Sequence, residues 1–60
     1  MSYIVVSYPT IHNGCVIEGF TTKDVFNSLD EAIDFAVTCW CEIAIVEENN
    51  NKMLYHKPNP

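Results

Sequence analysis

Sixty residues, 48% of them apolar, predict one domain over residues 1–60, near the lower size limit for independent folding. The net charge of −5 arises from eight acidic residues against three lysines, and this argues against direct DNA or RNA binding, which needs basic side chains. No apolar run approaches the roughly 20 residues that cross a bilayer. We therefore expect a cytoplasmic protein without a membrane partner. The acidic charge is most simply explained by solubility, and the alternative is that it suits a partner protein with a basic surface.

The first segment, Ser2 to Tyr8, is rich in β-branched and aromatic residues and predicts a strand. Pro9 is expected to end this strand or to force it to a sheet edge, because proline has no amide proton to donate. The residues from Pro9 to His12 could extend the strand or form a loop, so the register of the following hairpin stays open.

Asn13-Gly14 predicts a tight hairpin turn, because both residues accept a positive φ. Cys15 to Phe20 is then the returning strand, and Gly19 within it indicates a bulge. Thr21 to Asn27 has weak local preferences and is expected to be a connector.

A helix start follows, because Ser28 and Glu31 have the spacing of a capping box. The acidic residues near this start also suit the helix dipole. The helix is expected to run to about Trp40 or Cys41. One apolar stripe is formed by residues at spacings of three and four, namely Leu29, Ala32, Ile33, Ala36, Val37 and Trp40. We expect Trp40 to lie in the core, and a contact anchor is the alternative.

Ile43 to Glu47 predicts a third strand, Glu48 to Lys52 a turn and Met53 to Lys57 a fourth strand, which Pro58 to Pro60 ends. The fold class is therefore α+β: a small, mostly antiparallel four-stranded sheet with one helix packed on one face, in the order β-β-α-β-β. The sequence does not decide which strand is central. The third strand could pair beside the first and give an all-antiparallel sheet.

The three cysteines, Cys15, Cys39 and Cys41, are an odd number and argue against a closed disulfide framework. Cys39 and Cys41 are separated by one residue, which on a helix would point their sulfurs about 200° apart, poorly placed for one ion. Buried structural thiols are the better interpretation. The sequence carries no catalytic signature and no glycine-rich phosphate loop, so we expect no enzyme activity, no metal and no cofactor.

Two uninterrupted apolar runs, Ile4 to Val6 and Ile43 to Val46, place apolar side chains on both faces of the sheet. The single helix covers one face, which we expect to carry Ile4, Val6 and Ile45. The other face then lacks cover, and we expect a partner or a second copy of the chain to bury it. The predicted partner-binding residues are Tyr3, Val5, Ala44, Val46 and Tyr55.

The segment Ser28 to Ile33, after a hairpin, resembles the corresponding segment of HicB-type antitoxins. It is a short, generic helix start, so no residue role is transferred from that family. The sequence predicts a small acidic, non-catalytic protein-binding module that inhibits or modulates a partner, as inhibitors, antitoxins and virus-encoded antagonists do. The alternatives are a metal- or thiol-dependent site at Cys39 and Cys41, and a purely structural homo-oligomer such as a dimer.

Overall fold

The computed structural model describes residues 2–58, and for residues 21–24 it describes the backbone alone. The elements in chain order are β1 (Tyr3–His12), β2 (Cys15–Phe26), α1 (Leu29–Ala36), β3 (Ile43–Glu47) and β4 (Met53–Lys57). The strands form one sheet in the order β2-β1-β3-β4, and all neighbours are antiparallel. The predicted α+β fold is confirmed, with the third strand beside the first. The prediction for Asn59 and Pro60 falls outside the described residues.

The turn between β1 and β2 is the predicted two-residue turn at Asn13-Gly14. The two residues have φ values of 52° and 76°, and the flanking residues His12 and Cys15 pair directly. Positive φ at both positions matches the twist of the two strands, which explains why this residue pair is favoured here. The alternative of a loop from Pro9 to His12 is therefore wrong.

Both strands of this first hairpin are longer than predicted. β1 continues through Pro9, which lies beyond Ser7, the last β1 residue paired with β3, and within an irregularity of the β1–β2 ladder. The missing amide proton of Pro9 therefore costs neither ladder a hydrogen bond. β2 continues to Phe26 because Val25 and Phe26 pair with the start of β1. This tertiary pairing overrides the weak local preference of the expected connector.

The helix begins where the sequence predicts. Ser28 is extended, with φ −131°, and its side-chain oxygen accepts a hydrogen bond from the amide of Glu31 at 3.3 Å. Asp30 and Glu31 lie in the first turn, where the helix dipole favours negative charge. The Ser28 cap thus fixes the start of α1.

Replacing Ser28 with alanine should lower the free energy of unfolding by about 1 kcal/mol, because the amide of Glu31 loses its side-chain acceptor. Urea unfolding followed by circular dichroism measures this change. Ser28→Asp is the matched control, since aspartate is an equally good cap. A Ser28→Ala variant as stable as the wild type would contradict the assigned cap.

The helix ends at Ala36, so the predicted end near Trp40 is wrong. The β-branched Val37 and Thr38 follow, and the Thr38 hydroxyl donates to the carbonyl of Phe35 at 2.7 Å. Such side-chain bonding competes with helical hydrogen bonds, and no basic side chain stabilises the last turn. Within the described residues, no helix is long and apolar enough to cross a membrane.

The helix packs on one face of the sheet. This helix-side cluster is built on five fully buried residues: Val5, Ala32, Ala36, Ile43 and Ile45. Part of the predicted helix stripe is confirmed, because Leu29 and Ile33 also pack here. Phe35 adds an aromatic contact, with its ring centroid 5.4 Å from that of Phe26. Burial of this face supplies much of the tertiary stability of α1.

The opposite face of the sheet carries a second cluster, whose buried members are Val6, Val16, Ala44 and Val46. The sheet covers this face itself by curling until β2 reaches β4. The amide of Met53 donates to the carbonyl of Gly14 at 3.0 Å, and the amide of Val16 donates to the carbonyl of Asn51 at 3.1 Å. The start of β2 is thereby joined to the start of β4, and the second cluster becomes an interior.

Candidate functional site

The predicted partner-binding residues lie on two different faces of the sheet. In the β1–β3 ladder Val5 is opposite Ile45, whereas Ala44 is opposite Val6. Val5 therefore belongs to the helix-side cluster, and Ala44 belongs to the second cluster with Val46. The predicted faces of Ile45, Ala44 and Val46 are confirmed. Those of Ile4, Val6 and Val5 are wrong, because a change of one residue in register moves a side chain to the other face.

These predicted contact residues are also interior. The exposed fractions of Val5, Ala44 and Val46 are 0%, 0% and 2%, and Tyr3 and Tyr55 are half-buried against the helix-side cluster. The expectation that they form an uncovered surface is wrong, since one chain covers both faces. The uncovered face was the reason for expecting a dimer, and that reason disappears with it.

Large apolar side chains do lie exposed near the start of β3. We call this surface the aromatic end and define it as four residues more than half exposed: Tyr8 (58%), Phe20 (73%), Val37 (55%) and Trp40 (91%). None of the four belongs to either buried cluster. Exposed apolar patches of this kind mark interaction surfaces.

Strand register brings the members of the aromatic end together. Phe20 is opposite Ser7, and Ser7 is opposite Ile43 on its other side. Two strand spacings separate Phe20 from Ile43, which is about 10 Å. The amide of Tyr8 donates to the carbonyl of Glu42 at 2.9 Å, and Trp40 lies two residues before Glu42. Residues from three parts of the chain therefore lie near the start of β3.

Trp40 is exposed because its two neighbours point inward. Cys39 and Cys41 both pack against the helix-side cluster, so the residue between them projects outward. The predicted core position of Trp40 is wrong, because it assumed that the helix continues through this segment. The alternative of a contact anchor agrees with the observed exposure. The signal in the sequence was the Cys-Trp-Cys triplet, in which two residues that favour burial flank a tryptophan.

The segment that carries Trp40 is held in place by hydrogen bonds. The amide of Cys39 donates to the carbonyl of Ala36 at 3.1 Å, and the ammonium of Lys57 on β4 donates to the carbonyl of Cys39. Val37, Thr38, Cys39, Trp40 and Lys57 line a groove of about 310 Å³ beside the indole. A tryptophan on a backbone segment that is already held in place costs less conformational entropy on binding than one on a mobile segment.

Among the residues that the structure describes, no group of three or more His, Cys, Asp or Glu side chains converges as the ligands of a metal ion would. All three thiols are free and half-buried. Cys39 donates weakly to the carbonyl of Phe35, with the sulfur 3.6 Å away. These contacts agree with the interpretation of Cys39 and Cys41 as packing residues.

The two histidines lie in different surroundings. His12 is exposed beside the first turn, whereas Nε2 of His56 lies 2.7 Å from Oε2 of Glu42. This contact joins β4 to the residue just before β3. The Glu42 carboxylate is thus engaged by a side chain of its own chain and is not a free group of the aromatic end.

No protein-family model, no curated protein and no solved structure matches this chain. The resemblance to HicB-type antitoxins therefore concerns the segment Ser28 to Ile33 alone. The function must be argued from the geometry of the aromatic end.

Proposed function

We propose that this chain is a small acidic, non-catalytic protein-binding module that inhibits or modulates a partner protein, and that it binds through the aromatic end. The observation that carries this proposal is the 91% exposure of Trp40 on a segment anchored by hydrogen bonds. Tryptophan and tyrosine are enriched among the residues that contribute most to protein–protein affinity.

The rest of the surface supports the same proposal. Tyr8 and Phe20 lie at the same end as Trp40, so a partner can bury several aromatic side chains at once. The net charge of −5 favours encounter with a protein that carries a basic surface. Aromatic anchors supply affinity, and the charge raises the association rate.

Trp40→Ser should reduce affinity for the partner by about 2 kcal/mol or more, a roughly thirtyfold loss, because a central aromatic contact is removed. Stability should change by no more than about 0.5 kcal/mol, since the side chain is exposed. The measurement is quantitative affinity capture from the source cell, followed by titration of each captured protein against the purified variants.

Ile17→Ser is the matched control, because Ile17 is 64% exposed and apolar but lies outside the aromatic end. If the Trp40→Ser and Ile17→Ser variants have the same affinity for the partner, the proposal that the partner binds at the aromatic end is wrong. Light scattering tests the homo-oligomer: a doubled mass that Trp40→Ser returns to that of a monomer would make a second copy the partner. Loss of binding in Cys41→Ser alone would favour the thiol-dependent alternative.

A further inference from the structure

A second groove lies at the aromatic end, beside the bulge of the first hairpin. There the ladder places Tyr8 and Pro9 opposite the single residue Gly19. Tyr8 has a φ of 51°, which is uncommon for a residue with a side chain. Strained backbone of this kind is concentrated at functional sites. The groove has a volume of about 300 Å³ and is lined by Tyr8, Thr10, Glu18, Gly19 and Phe20.

The lining of this groove has the chemistry of a cation site. Tyr8 and Phe20 supply two exposed aromatic rings, and Glu18 supplies an exposed carboxylate. The ring faces of aromatic residues attract cations, and a carboxylate accepts charge-assisted hydrogen bonds from them. None of these five described lining residues is basic.

The groove beside Trp40 has the opposite character. Its one charged lining residue is Lys57, and its remaining lining is apolar or weakly polar. Such a groove suits an apolar side chain. The two grooves therefore differ in the side chains of a partner protein that they suit.

We propose that the groove between Tyr8 and Phe20 binds an arginine side chain of the partner protein, with Glu18 as its counter-charge. This inference rests on the proposed protein-binding function and assigns the chemistry of one of its contacts. Arginine fits better than lysine, because its planar guanidinium stacks on aromatic rings while it donates two hydrogen bonds to one carboxylate. The net charge of −5 supports a basic partner in general, and Glu18 places one acidic group at the aromatic groove.

The direct test is titration of the isotope-labelled full chain with N-acetyl-argininamide, followed by amide NMR shifts. We expect saturable shifts at the residues that line the groove. N-acetyl-citrullinamide is the matched probe, because it has nearly the same shape without the charge. It should bind at least about threefold more weakly, as expected when a cation–π contact and an ion pair are lost. Equal shifts with both probes, shifts confined to other residues, or no saturable shift would overturn the inference.

Variants separate the groove from the overall charge of the protein. Glu18→Gln and Phe20→Leu should each weaken argininamide binding, since the first removes the carboxylate and the second removes the ring face while keeping an apolar side chain. Glu48→Gln is the control, because it removes one charge at an exposed turn residue outside the groove. If Glu48→Gln weakens binding as much as Glu18→Gln, the attraction is non-specific and the assigned site is wrong.

The outcomes also distinguish this inference from the proposed function. Failure of argininamide to bind, with a captured partner that still depends on Trp40, would overturn the arginine site and leave the protein-binding function intact. Argininamide binding that depends on Glu18, with no captured protein that depends on Trp40, would support the arginine site and contradict the proposed protein-binding role of Trp40.

Discussion

Replacement of Val46 with glutamate is expected to unfold most of the protein at neutral pH. Val46 is 2% exposed and lies in the second cluster, which the curl of the first hairpin encloses. A buried carboxylate without a partner costs about 3–5 kcal/mol, whereas a 60-residue domain has a total stability of about 3–9 kcal/mol. Circular dichroism and urea unfolding measure the loss.

Val5→Glu should have a comparable effect on the other face, because Val5 is fully buried in the helix-side cluster. Val25→Glu is the matched control: the same exchange at a β-strand residue that is 53% exposed should leave the fold intact. A folded Val46→Glu variant that merely loses an association would show that the second face is open to a partner. It would restore the interface that the sequence alone predicted.

The features that could be predicted from the sequence are those with a local cause. The helix cap at Ser28 depends on residues within four positions of one another, and the turn at Asn13-Gly14 depends on the backbone freedom of those two residues. The third and fourth strands were predicted with their observed bounds, Ile43–Glu47 and Met53–Lys57. Each is a short run of strand-forming residues next to turn-forming residues.

The features that could not be predicted depend on pairing between distant residues. Which face Val5 occupies is set by its pairing with Ile45, forty residues later, and no local preference fixes that register. Cover of the second face depends on backbone bonds between the start of β2 and the start of β4, such as the one from Val16 to Asn51. The presence of a single helix therefore does not leave one face of the sheet uncovered, because a curled sheet can bury its own concave face.

The candidate site was missed for a related reason. A stripe at helical spacing included Trp40, and this assigned the most exposed aromatic residue to the core. The helix stops at Ala36, and after it an alternating pattern applies, with Cys39 and Cys41 inward. An error of a few residues in the predicted helix end is therefore sufficient to assign a surface residue to the core. Tyr8 and Phe20 were missed because strand register, which the sequence did not fix, brings them to the same end.

Gly19→Ala is expected to lower the free energy of unfolding by about 2–5 kcal/mol, from strain at positive φ and from overpacking. Gly19 has a φ of 157°, and a Cβ atom there would collide with Cγ1 of Val6. Two backbone neighbours are also close, since the carbonyl oxygen of Ser7 would lie at 3.2 Å and Cα of Pro9 at 3.3 Å. Val6 is β-branched and 4% exposed, so rotation of its side chain away from the new Cβ atom is restricted.

Two variants isolate the steric part of this effect. Gly14 has a φ of 76° but open space around the position of a Cβ, so Gly14→Ala should cost only about 1–2 kcal/mol from backbone strain. In a Val6→Ala background the main collision is relieved, and Gly19→Ala should then cost about 1–3 kcal/mol less than in the wild type. Additive costs in this double-mutant cycle would show that Val6 does not pack against Gly19. The close approach of β1 and β2 at the bulge, which shapes the groove between Tyr8 and Phe20, would then be incorrect.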